Sequence, residues 1–181
     1  LVLGVLWGLK LISDYGYLNP PHALRFYGKD GYDVCESIVP IGDVSNFVLH
    51  AVVKPPGGSS DTTRTRLYGR VSGGVGSEDG YYVEFSWTYE RIRLGKLDNG
   101  VSTILNSSSY GVERNEYYNL KFYCVDDKLQ AKLWHHSDPE PDAYTIISLL
   151  DNPKPAGKVG IGSYNGDSID NDSLDWVLEF F

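Results

Sequence analysis

The chain has no methionine, a single glutamine (Gln130) and only two cysteines in 181 residues. Methionine and glutamine are among the residues depleted in proteins that work hot, although nine asparagines pull the other way. Basic residues are short as well: 16 Lys and Arg stand against 24 Asp and Glu, a formal charge of −8. Nucleic-acid binders need a basic face for phosphates, so the expectation is no nucleic acid, and an anionic membrane surface is disfavoured for the same reason. There is no long hydrophobic run. The apolar stretch 1–12 is shorter than the ~20 residues of a spanning helix, so no membrane span is expected. An intact secretory signal is not expected either, because Lys10 follows the apolar run where a signal carries its charge before it. The apolar start without Met suits a chain trimmed after export, or one cut for expression, and the expected location is extracellular.

Cys35 and Cys124 allow one intramolecular pair. In an exported chain a disulfide between two strands is the simplest expectation, with two free thiols as the alternative. Neither has a CxxC neighbour, so redox and zinc chemistry have no support. Asn106-Ser107-Ser108 and Asn171-Asp172-Ser173 match the glycosylation acceptor pattern, Asn106 being the better placed in its run of serines.

No segment keeps helical periodicity beyond about two turns, whereas apolar alternation recurs between clusters of Gly, Pro, Asn and Asp. The pattern predicts an all-β chain, with strands near 23–27, 47–54, 64–71, 81–87, 90–94, 102–105, 117–125, 128–134, 144–149, 158–163 and 174–181. Asp126-Asp127 and Asp98-Asn99-Gly100 read as tight hairpins, since these residues tolerate the positive φ of two-residue turns. Many short strands at such spacing predict a two-sheet antiparallel β-sandwich. Residues 1–21 read as an apolar arm with a Pro linker, and 22–181 as the jelly-roll domain.

The succession Tyr118-Asn119-Leu120-Lys121-Phe122, a hairpin, Lys132-Leu133-Trp134, Gly157-Lys158-Val159-Gly160-Ile161-Gly162 and Leu174-Asp175-Trp176-Val177 resembles the second half of the concanavalin A-like lectin/glucanase jelly roll, which includes laminin G modules. The resemblance implies a jelly roll, often with a structural calcium and sometimes with a sugar site on one sheet. Hydrolases of that group need two carboxylates on one face of a strand, placed as Glu-x-Asp-x-Glu. Nothing here matches. Glu84 and Glu90 are six apart, straddle a predicted turn, and read as solvated strand carboxylates, so no enzyme is expected. His135 and His136 are adjacent and face opposite ways in a strand, so they do not converge on a metal. The glycine runs around Gly74 and Gly160 miss the dinucleotide spacing.

The stretch 165–175 carries four carboxylates, Asp167, Asp170, Asp172 and Asp175, with no basic residue among them. A hard cation relieves such repulsion, and calcium takes six to eight oxygens of this kind. A solvated acidic loop is the plain alternative. The jelly-roll resemblance implies a calcium ligand in the last strand, matched by Asp175, with groups near the start of the fold, for which Asp30 and Asp33 are the candidates. A lectin site needs aromatics that stack on sugars, and Tyr81, Tyr82, Trp87, Tyr89, Tyr117, Tyr118 and Trp134 are available, although Tyr and Trp are also ordinary strand residues.

In the first eleven residues the odd positions Leu1, Leu3, Val5, Trp7, Leu9 and Leu11 form an unbroken apolar face at period two. One reading is the first strand of the chain's own sandwich. The other is a strand donated to a neighbouring copy, with Pro20-Pro21 holding the linker extended. Donation of that kind is head to tail and builds filaments or tubes. Size, acidity, the arm and the jelly-roll ending together resemble the subunits of cannulae, the extracellular tubes of hyperthermophilic archaea. That resemblance implies calcium-promoted self-assembly into a homo-oligomer outside the cell. The alternative expectation is a monomeric carbohydrate-binding module with glycans as partners.

Overall fold

The computed structural model describes residues 9–12, 23–27, 34–38, 43–53, 64–74, 76–113, 116–164 and 170–180, with side chains described for 43–53, 64–74, 76–113 and 116–162. Thirteen strands are present among the described residues. They are β1 (Leu9–Ile12), β2 (Ala23–Tyr27), β3 (Val34–Ile38), β4 (Phe47–Val53), β5 (Arg64–Ser72), β6 (Asp79–Ser86), β7 (Arg91–Asp98), β8 (Val101–Ser109), β9 (Tyr118–Val125), β10 (Lys128–His135), β11 (Ile146–Leu149), β12 (Lys158–Tyr164) and β13 (Asp170–Phe180).

The strands form two antiparallel sheets, as expected of a jelly roll. One has seven strands in the order β1-β2-β13-β4-β9-β10-β11, the other six in the order β3-β12-β5-β6-β7-β8. Alternation decides which side chains fill the space between them. Phe47, Leu49, Ala51 and Val53 of β4 face Leu67 of β5 and Tyr81, Val83 and Phe85 of β6 within one core, joined by Leu120, Phe122 and Cys124 of β9. Phe47 sits at the centre, edge-on to Phe122 at 5.7 Å between ring centroids. Gly69 in β5 makes room for it: a Cβ there would lie 1.9 Å from Phe47 Cζ.

Both predicted hairpins form. Asp126 (φ 51), Asn99 (φ 49) and Gly100 (φ 76) take the positive φ that such turns require. The end of the sandwich near Asp126 is tied by Arg70, also at positive φ (51) and almost fully buried. Its guanidinium donates to Ser45 O (2.6 Å), Lys154 O (2.9 Å), Asp126 O (2.9 Å) and Asn46 Oδ1 (3.3 Å), joining four segments of chain through one side chain.

Three expectations change. β3 was not foreseen. β8 runs to Ser109 rather than stopping at 105, because Ser107 and Ser108 continue the ladder opposite Arg93 and Ile92. The expected Cys35–Cys124 disulfide gives way to a free thiol: Cys124 is unpaired and buried in β9, while Cys35 belongs to β3 at the edge of the opposite sheet.

Candidate functional site

The outer face of the six-stranded sheet gathers the chemistry. On β5, β6 and β7 the residues that turn away from the core align in cross-strand rows fixed by the register. Arg64 pairs with Ser86, which pairs with Arg91; Arg66 pairs with Glu84, which pairs with Arg93; Tyr68 pairs with Tyr82, which pairs with Gly95. Opposite charges placed directly across an antiparallel pair stabilise it, so the sequence pattern and the register support one another.

Glu84 is the hub. It is only 1% exposed, which overturns its reading as a solvated carboxylate. Arg66 donates from Nε (2.9 Å) and Nη2 (2.7 Å) to its Oε2, and Arg93 donates from Nη1 (3.2 Å) to Oε1. Arg64 stands at 3.7 Å. Burial alone would lower the Arg66 pKa, but Tyr68 and the Glu84 carboxylate beside it outweigh that and hold it above the ordinary guanidinium range. Glu84 has its oxygens taken by arginines and Glu90 stands in the turn at positive φ (45), so these two carboxylates are not arranged as a hydrolytic pair.

Aromatic rings complete the surface. The Arg66 guanidinium lies 4.5 Å from the Tyr82 ring centroid. Tyr82 fits because Gly95 has no side chain, a Cβ there falling 2.2 Å from Tyr82 Cζ, and its hydroxyl meets Ser102 Oγ at 2.6 Å. Tyr89, in the turn between β6 and β7, is 43% exposed and has Arg64, Arg91 and Arg93 at 5.5, 5.5 and 5.9 Å from its ring. Beside that turn is an open recess of about 610 Å³, lined by Glu90, Tyr110, Glu113, Tyr118, His135 and Asp138. Its carboxylates give it the opposite sign to the arginine face.

The other expected aromatics are spent elsewhere. Tyr81 and Tyr118 are core residues, and Trp87 packs edge-on to Phe85 at 5.4 Å. Tyr117 lies against His136. Trp134 faces out from the seven-stranded sheet but is covered by His50, stacked at 5.8 Å, and by Lys121. On that sheet Asn119 joins His50 Nε2 (2.9 Å) to His136 Nδ1 (3.2 Å), while His135 turns toward Ser137 and Glu116, so the two adjacent histidines do diverge. Glu140 takes Lys121, Lys132 and the Tyr123 hydroxyl.

The proposed calcium ligands fall outside what is described: Asp30, Asp33 and Asp167 lie beyond the described residues, and Asp170, Asp172 and Asp175 belong to β13 with only its backbone described. Among the described residues no group of three or more His, Cys, Asp or Glu is arranged for a metal. Of the apolar arm, Leu1, Leu3, Val5 and Trp7 are outside the described residues, and Leu9 and Leu11 belong to β1, which pairs with β2 of the same chain. Asn106 is exposed, but its Nδ2 donates to Ile147 O at 2.7 Å. Asn171 lies in β13 opposite Phe26. Sequence reasoning missed Arg64, Arg66, Arg91 and Arg93. The signal that would have found them is the doubled Arg-x-Arg on the strands flanking Glu84.

No family model matches the chain, and no curated protein matches it. Solved structures do. The carbohydrate-binding module CBM66 from Bacillus subtilis aligns at a TM-score of 0.64 with 13% identity, covering 94% of this chain and 97% of its own. A Bacillus subtilis protein of unknown function with a galectin-like fold aligns at 0.68 with 8% identity, covering 95% and 86%. The exoplasmic/lumenal domain of VIP36, in a form bound to Ca2+ and mannose, aligns at 0.62 with 13% identity, covering 95% and 82%. A glucanase from a mouse hindgut metagenome aligns at 0.51. These likenesses lend the cannula resemblance no support. At such identities they show the fold alone, which is a β-sandwich jelly roll of the galectin-like, lectin and glucanase kind.

Proposed function

We propose that the protein is a carbohydrate-binding, lectin-like module that takes a saccharide on the outer face of its six-stranded sheet, around Tyr89 and the Arg66–Glu84–Arg93 row. The observation that carries this reading is an exposed tyrosine ring flanked by three arginines, one of them fixed by the buried Glu84. Sugar hydroxyls need both donors and acceptors, and the apolar face of a pyranose stacks on an aromatic ring. Arg91 and Arg93 supply N–H donors, the exposed Glu90 next to Tyr89 supplies acceptor lone pairs, and the buried Glu84, its oxygens taken by arginines, holds the guanidinium geometry before ligand arrives. The structural neighbours that are themselves carbohydrate-binding modules and lectins support the same reading. On it the chain works outside the cell, where such glycans are.

The test is a glycan array followed by calorimetry with the intact chain and with Tyr89→Ala. Binding that falls at least about tenfold in the variant, with the melting temperature unchanged, is the expected result. Absence of binding to every glycan, or binding indifferent to Tyr89→Ala, would overturn the assignment. Calcium enters this reading through Asp170, Asp172 and Asp175 of β13, with Asp30, Asp33 and Asp167. Millimolar calcium is expected to raise the melting temperature over chelator, and superimposable curves would remove the ion from the account. Head-to-tail assembly by a donated arm rests on the alternation of residues 1–11 alone, and sedimentation of the intact chain as a monomer would retire it.

A further inference from the structure

A chain of formal charge −8 places four of its sixteen basic residues on one face of two strands, Arg64 and Arg66 in β5 and Arg91 and Arg93 in β7. The two rows they form differ at the centre. In the row Arg66–Glu84–Arg93 the residue between the arginines is a carboxylate, which both of them bond. In the neighbouring row, Arg64–Ser86–Arg91, a serine holds the equivalent place.

Ser86 is fully buried, and its Oγ has no hydrogen-bond partner. A buried hydroxyl left unbonded costs on the order of 1–3 kcal/mol, so native folds rarely keep one without use for it. Thr88 Oγ1, two residues further along, is in the same condition. Arg91 spends its Nε on Tyr89 O (3.1 Å), and among the described residues no acceptor meets its terminal nitrogens. Arg64 already faces the Glu84 carboxylate at 3.7 Å, so the uncommitted donors of this row are the terminal nitrogens of Arg91, beside a serine where the neighbouring row has its carboxylate. The exposed ring of Tyr89 stands beside it, 5.5 Å from both the Arg64 and the Arg91 guanidinium.

We propose that Arg91, with the Ser86 hydroxyl across the strand pair, receives the anionic group, carboxylate or sulfate, of an acidic glycan whose sugar ring lies on Tyr89. The inference rests on the saccharide-binding reading of this face and narrows it from sugars in general to charged ones. A planar guanidinium fork matches the oxygens of either anion, and a hydroxyl beneath supplies a further donor. The acidic remainder of the surface repels polyanions that do not reach the arginines, which favours a short charged saccharide over a nucleic acid.

The experiment is calorimetry on the intact chain with four oligosaccharide probes and a DNA control. The probes are oligogalacturonate and its methyl ester, and sulfated dextran oligosaccharide and its unsulfated form, and the control is a short DNA duplex. Expected is tighter binding of one acidic probe than of its neutral partner by at least about tenfold. The preferred acid then tells carboxylate from sulfate. That preference weakens with added salt and is lost in Arg91→Gln, while Lys128→Gln on the opposite sheet retains it and both variants keep the parent melting temperature. Equal binding of acidic and neutral probes would overturn this inference and leave the saccharide reading intact. Binding of none would overturn both, and equal affinity for DNA would replace the glycan with an unselective polyanion surface.

Discussion

Exchanging Glu84 for Gln keeps the side chain's shape and removes the charge on which three arginines converge. Arg66 places two hydrogen bonds of 2.9 and 2.7 Å on one carboxylate oxygen, Arg93 places one of 3.2 Å on the other, and Arg64 stands at 3.7 Å. Removing one member of a buried ion pair costs about 3–5 kcal/mol, because the remaining charge stays desolvated. The Arg66 and Arg93 side chains keep 11% and 15% of their exposure, so some water reaches them and the lower end, about 3 kcal/mol, applies. For a chain of this length that is a fall in melting temperature of roughly 6–12 °C. Urea unfolding followed by tryptophan fluorescence measures it directly, with an unchanged slope showing that the unfolded state is the same. Adding Arg66→Met to Glu84→Gln should recover part of the loss, since the stranded charge goes with it. A loss below about 1 kcal/mol, with no coupling between the two substitutions, would mean that the row is no stronger than a surface ion pair and would refute the reasoning.

Three further outcomes follow from the packing and the charges. Gly69→Ala drives a Cβ to within 1.9 Å of Phe47 Cζ in a fully buried ring, so destabilisation of at least about 1–3 kcal/mol is expected by chemical denaturation, and wild-type stability would show that the core yields there. Partial burial pushes the Glu140 carboxyl up, but hydrogen bonds and charge from Lys121 and Lys132 outweigh it and hold the group down at about 2. Its contribution to stability is present above the ordinary value of 4.5 and fades as the pH falls toward about 2; a carboxyl titration by NMR that gives Glu140 an ordinary value would contradict this. Burial raises the Cys124 thiol to about 12, against a small lowering by Arg70. In a Cys35→Ser background it should resist thiol reagents until the protein unfolds, and rapid labelling of the native chain would show that β9 opens.

The parts of the fold legible in the sequence are those where one face is buried and the other is not. In β9 and β10 the alternation of Leu120, Phe122 and Cys124 with Asn119, Lys121 and Tyr123 announces both the strand and its inner face, and Asp126-Asp127 marks the turn. β3 escaped because Val34-Cys35-Glu36-Ser37-Ile38 at a sheet edge has neither alternation nor a closed apolar run. The end of β8 escaped because Asn106 and the serines after it have loop composition, and the ladder to β7 alone makes them strand. The candidate site was hidden for a different reason. Each arginine reads as an ordinary solvent-facing residue, and only the register that puts Arg66 and Arg93 on either side of Glu84 turns three charges into one arrangement.

β12 and β13, late in the sequence, fill the middle of both sheets. β12 lies between β3 and β5, and β13 lies between β2 and β4. While the chain is being made, each sheet therefore remains split into two halves with facing strand edges, and at ordinary synthesis rates residues 158–181 take roughly 1–5 s to appear. Neither sheet can close before then, so the sandwich is completed only after β12 and β13 have been made. The cell must hold an unfinished sandwich, with β3, β5, β2 and β4 all open to pairing with the wrong partner, until β12 and β13 arrive.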